Sequence, residues 1–159
     1  VVRIDQRQFK SGAGRITFSE VPLGSRNPTY PPAVYGGGAG SPTVRFGGYF
    51  LGQRPGTPSE CPMGAALSGC VVGNPVAPLT LDPASPPTTV RLNVSAAGGV
   101  SPGLAGTPTF NGPIGIWFDR DVAAVGLDGG YFDAARSTAT PSMFACRSSQ
   151  SGAEHTTPQ

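Results

Sequence analysis

Four aspartates crowd one stretch of this chain. Asp119, Asp121, Asp128 and Asp133 fall within fifteen residues, out of nine acidic residues in all. The chemistry this suits is calcium binding. Ca²⁺ takes roughly six to eight oxygens at about 2.3–2.6 Å, from carboxylates and carbonyls. Asp119, Asp121 and Asp128 can supply carboxylates, with Asp133 a weaker member, and the Gly-rich turns leave carbonyls accessible. The spacing is not that of an EF-hand, which needs acids at alternating positions and a Glu at the twelfth. The alternative is solvated acids at strand ends, with Arg120 as a neighbouring counter-charge.

Other constellations point to hydrolysis. Gly99-Val100-Ser101-Pro102-Gly103 fits G-x-S-x-G, and Ser101, Asp128 and His155 follow the order of a Ser-Asp-His triad. That motif works when the serine sits on a strand-to-helix elbow beside an oxyanion hole. No helix is expected after Ser101, and Pro102 lacks the backbone N–H that the hole needs. Two carboxylates flanking a cleft, roughly 5–9.5 Å apart, would cleave a glycosidic bond. Glu20 with Asp119 or Asp128 is the pair to consider. Tyr30 and Tyr35 lie on a Pro/Gly-rich loop, where a ring face either packs on the domain or stacks on a sugar ring. Cys61 and Cys70 are nine apart in CPMGAALSGC. A local disulfide there would add on the order of 2–3 kcal/mol through the unfolded state. The pair has no zinc spacing. Cys146 is left over.

These groups need elements to hold them, and the apolar pattern is that of strands. Ile114, Ile116 and Phe118 share one parity, and Ala123, Val125 and Leu127 repeat it after the polar bend at Asp119-Arg120-Asp121. A two-residue period is that of a half-buried strand. RITFSE places Ile16 and Phe18 on one side, and Glu20 follows the same parity. An inward carboxylate is costly unless paired or metal-bound; otherwise the strand ends first and Glu20 faces water. In TVRFGGYFL, Val44 and Phe46 face one way, and Gly47-Gly48 marks a bulge or a close backbone approach. TTVRLNVS is the clearest strand, with Val90, Leu92 and Val94 inward and Arg91 outward. Residues 21–41 read as loop, with four prolines and five glycines. No amphipathic helix and no solenoid repeat is found.

Composition agrees. The 159 residues suffice for one domain with its own core. Glycine (24) and proline (18) together approach the level at which disorder competes. The short patterned runs between the Gly/Pro clusters instead read as strands joined by turns. Charged residues are 13% and the net charge is +2, with the basic residues scattered. A nucleic-acid binder would cluster them on one face. No apolar run is long enough to span a membrane. The chain starts at Val1 with no leader-like segment, as in a processed or trimmed chain. Export is therefore expected from composition, and an extracellular chain favours the disulfide.

Two blocks carry a resemblance. RITFSEVPLG followed by Tyr30, Tyr35 and VRFGGYF resembles the opening of exported bacterial β-sandwich domains, many of which precede sorting tails of the PEP-CTERM type. The matching positions are Phe18, Glu20, Pro22, Gly24 and Phe46. GPIGIWFDRDVAAVGLDGGYFD is similar to the late strand pair of that group, around Ala124, Val125 and Gly126. The resemblance covers about residues 15–140. It implies export and a surface or matrix role, sometimes with bound calcium, and no defined reaction. A further strand follows in that group, and this chain departs from the pattern there.

The expectation is an all-β chain: a β-sandwich, of jelly-roll type, with long Gly/Pro-rich loops. Residues 1–14 form an arm or edge strand, 15–141 the sandwich, and 142–159 an irregular tail or residues foreign to the domain. The expected role is an exported, non-catalytic module that binds a polysaccharide or cell-surface component and is stabilised by Ca²⁺. Self-association through a sheet edge goes with it. The alternative is a secreted hydrolase, esterase-like through Ser101 or glycan-cleaving through paired carboxylates.

Overall fold

A computed structural model describes residues 6–9, 11–92 and 102–126. Among the described residues, short antiparallel pairings and three-residue 3₁₀ turns make up the regular structure, an all-β pattern. The strands are β1 (Thr29–Tyr30), β2 (Val44–Gly47), β3 (Arg54–Pro55), β4 (Val71–Val72), β5 (Thr89–Arg91), β6 (Gly103–Ala105) and β7 (Gly115–Phe118). They form three sheets, ordered β1-β2-β7, β3-β4 and β5-β6.

The β2–β7 ladder is the longest, pairing Val44 with Phe118 and Gly47 with Gly115. Alternation buries Val44 and Phe46 and leaves Arg45 outside, over the Trp117 ring at 5.2 Å. Ile116 and Phe118 reach the same core as the sequence predicts, whereas Ile114 precedes the strand and is exposed. β2 stops where a Cβ on Gly48 would collide with the Pro86 carbonyl. The Gly-Gly step is thus a close approach of two backbones, and Gly48 N–H donates to Ser85 Oγ at 3.1 Å. The core holds Tyr30, Tyr35, Val44 and Phe46, with Ile16, Phe18 and Leu104 packed against it. Phe18, Tyr30 and Phe46 meet edge-to-face, centroids 5.6–6.1 Å apart, a favoured arrangement of ring quadrupoles.

Several expected strands are not strands. Ile16 and Phe18 do face the core, but no ladder forms there, and Phe18 has a φ of 63°. The Glu20 carboxylate bends the segment back on itself, accepting from the Thr17 amide at 2.8 Å and hydroxyl at 2.7 Å. Such local bonds compete with sheet pairing. Within the 1–14 arm, Gln6–Gln8 form a 3₁₀ turn, and residues 1–5 and 10 lie outside the described residues. The 21–41 loop contains β1. Ala123 and Val125 are exposed and unladdered, and Leu127 lies outside the described residues. Leu92 is exposed because the β5–β6 pairing ends at Arg91–Gly103; Val94 lies outside the described residues.

β5 is paired on both sides. Beyond β6, the segment 24–27 runs along it. Gly24 N–H donates to the Val90 carbonyl at 2.9 Å, Val90 N–H to the Ser25 carbonyl at 3.0 Å, and Asn27 N–H to the Thr88 carbonyl at 2.9 Å. Two residues, Gly24 and Ser25, thus oppose one, Val90, which is a bulge. Gly24 has a φ of +86°, the left-handed conformation such a bulge needs and glycine supplies without strain. Val90 and Thr88 are fully buried, so Thr89 and Arg91 are left on the outer face.

Candidate ligand-binding groove

Of the expected metal ligands, the structure describes Asp119 and Asp121. Asp119 ends β7 and serves the fold: its Oδ1 accepts from Thr43 N–H at 2.9 Å, while Asp119 N–H donates to the Thr43 carbonyl at 3.2 Å. Partial burial pushes the Asp119 carboxyl up, but the Thr43 bonds and the Arg120 charge outweigh it and hold it below the usual range. Asp121 is exposed just beyond, and Asp128 and Asp133 lie outside the described residues. Among the described residues no three metal-ligating side chains gather at one point.

The two tyrosines expected to meet a sugar are core residues. Tyr30 has no exposed surface, and its ring is enclosed by Phe18 and Phe46. Tyr35 is 9% exposed and its hydroxyl donates to the Pro42 carbonyl. Burial of both leaves no ring face for stacking, which corrects that expectation. Glu20 is tied to Thr17. Burial pushes its carboxyl up, the Thr17 bonds push it down, and the net shift is down. Ser101, His155 and Cys146 lie outside the described residues.

Cys61 and Cys70 are joined in a disulfide, as their spacing predicts. The bridge closes a small lobe on β3–β4. Arg54 meets Glu60 through two bonds, at 2.6 and 3.0 Å, and Glu60 also accepts from the Thr57 amide and hydroxyl. The Arg54 guanidinium first, then Thr57, hold the Glu60 carboxyl down at about 2. Among the described residues no helix is long and apolar enough to cross a membrane.

Sequence reasoning missed an open groove of about 770 Å³ over the outer face of β5. Leu23, Arg26, Thr89, Arg91, Leu92 and Thr107 line it, and among the described residues no carboxylate does. Its geometry follows from the pairing of the segment 24–27 with β5. Arg26 stands opposite Thr89 in an antiparallel bridge, so both share a face, and Arg91, two residues on, shares it too. Arg26 and Arg91 are therefore diagonal neighbours, whose side chains start about 7–8 Å apart. The ion pairs Arg54–Glu60 and Arg120–Asp119 lie elsewhere, and among the described residues neither groove guanidinium has a carboxylate partner. Leu23 and Leu92 are both more than half exposed. Arg91 was legible as an outward strand residue; its meeting with Arg26, from a loop far back in the chain, was not.

The chain matches no family model, no curated protein and no solved structure.

Proposed function

We propose that this chain is an exported binding module: a β-sandwich of jelly-roll type that holds a glycan at the cell surface or in an extracellular matrix, without catalysis. The groove over β5 carries the reading. It offers hydrogen-bonding guanidinium and hydroxyl groups together with two exposed leucines, the mixed lining a sugar needs for its hydroxyls and its C–H faces. The Cys61–Cys70 bridge supports export, because disulfides persist in oxidising compartments. The run from Arg26 to Tyr30 supports the sandwich. It pairs first beside β5 and then with β2, and a strand that changes sheets is one way two layers are joined.

Calcium held by Asp119, Asp121 and Asp128 belongs to the same reading, supported by the placement of Asp119 and Asp121 together at the end of β7. So does association of copies through a sheet edge. The kinship with exported bacterial sandwich domains that precede sorting tails is part of it as well, resting on the sequence blocks named above. The test is co-sedimentation with insoluble polysaccharides, followed by an assay for new reducing ends. Retention of the protein with no release of sugar is the expected result. Failure to bind any polysaccharide, or steady release of reducing ends, overturns the proposal.

A further inference from the structure

Resting on that reading, we infer that the groove selects anionic polysaccharide, with Arg26 and Arg91 each gripping an acidic group on the bound chain. Two like charges as diagonal neighbours on one face repel each other, and neither has a carboxylate beside it among the described residues to offset this. A ligand that supplies two negative groups at that spacing removes the penalty. Guanidinium suits the task because its planar fork matches a carboxylate or sulfate bidentately.

The rest of the lining narrows the class. Leu23 and Leu92 are exposed by 53% and 54% and line the same groove as the charged pair. They offer apolar surface for the C–H faces of sugar rings, and the Thr89 side chain, which shares the outer face, offers a hydroxyl for their oxygens. The groove is open to solvent, and its volume falls in the range of ligand sites, roughly 300–1,000 Å³. Nucleic acid fits less well. Single strands want aromatic stacking platforms beside a basic track, and this groove has two cations and no aromatic ring. The net charge of +2 points the same way.

The experiment is affinity electrophoresis and calorimetry of the full chain with four probes: polygalacturonate, a sulfated dextran, neutral dextran and single-stranded DNA. The variants are Arg26→Gln, Arg91→Gln and the pair. Arg15→Gln, an exposed arginine away from the groove, is the control. Melting curves establish that each variant folds. The wild type should bind one or both acidic polysaccharides over neutral dextran. Each groove variant should lose about tenfold in affinity, the size of a lost charge-assisted bond, and the pair should lose more. The control should bind as the wild type does. Preference between polygalacturonate and sulfated dextran tells carboxylate from sulfate. Tighter binding to DNA overturns the assignment, as does acidic-glycan binding that survives in the double variant. Equal binding to neutral dextran by wild type and double variant overturns this inference and leaves the proposed function standing. No binding to any polysaccharide overturns both.

Discussion

The Tyr30 hydroxyl and the Glu20 Oε2 atom are both sealed from solvent, and neither has a hydrogen-bond partner among the described residues. The phenol is also held neutral. Burial first, and then the Glu20 charge, push its pKa up to about 12. An unpaired buried hydroxyl costs about 1–3 kcal/mol, so the ring is kept here for its packing between Phe18 and Phe46.

Tyr30→Phe is therefore expected to leave stability unchanged or raise it by about 1 kcal/mol in urea melts. The folded-state pKa lies above the ordinary 10. The stability tied to this group is full below pH 10 and is lost as pH rises through about 12. The phenylalanine variant should shed that part of the alkaline loss. A destabilised Tyr30→Phe would mean that the hydroxyl has a partner after all.

Glu60 should titrate with a midpoint near 2 in a carboxyl-carbon NMR titration. Its folded pKa is depressed, so its contribution is present above the ordinary 4.5 and is lost as pH falls through about 2. The effect on global stability should be small, because both partners are substantially exposed and screened. Arg54→Gln should return the midpoint most of the way to the ordinary value. A midpoint already near 4.5 in the wild type would show that the ion pair does not form.

Gly56 stands against the bridge. A Cβ there would lie 2.5 Å from Cys61 Sγ and 2.9 Å from Cys70 Sγ. Gly56→Ala should cost about 1–3 kcal/mol as an overpacking change. The cost should shrink in a Cys61→Ser/Cys70→Ser background, because neighbouring changes couple. Equal costs in the two backgrounds would separate Gly56 from the disulfide.

Calcium binding predicts a lower melting temperature in excess chelator, since a ligand held only by the folded state stabilises it. Asp121→Asn should abolish that difference. A melt unaltered by chelator removes calcium from the account.

What the sequence made legible was local. A two-residue period identified Val44, Phe46 and Val90 as inward, and cysteine spacing identified the Cys61–Cys70 bridge. What it hid was set by bonds the period cannot express. Glu20 folds onto Thr17, so RITFSE turns instead of laddering. The Asp119 carboxylate was visible, but its bond from the Thr43 amide, 76 residues away, was not. Tyr30 and Tyr35 sat among prolines and glycines that read as surface loop, yet two residues of strand pairing carry Tyr30 into the core. The groove was hidden for the same reason. Arg26 and Arg91 become diagonal neighbours only because the segment 24–27 runs beside β5.

The measurement that bears most directly on the groove is an amide chemical-shift titration with a short oligogalacturonate. The account predicts saturable shifts centred on Gly24, Arg26, Thr89 and Arg91, with Arg45 and Trp117 on the far sheet unmoved. Shifts centred elsewhere, or none at millimolar ligand, would contradict it.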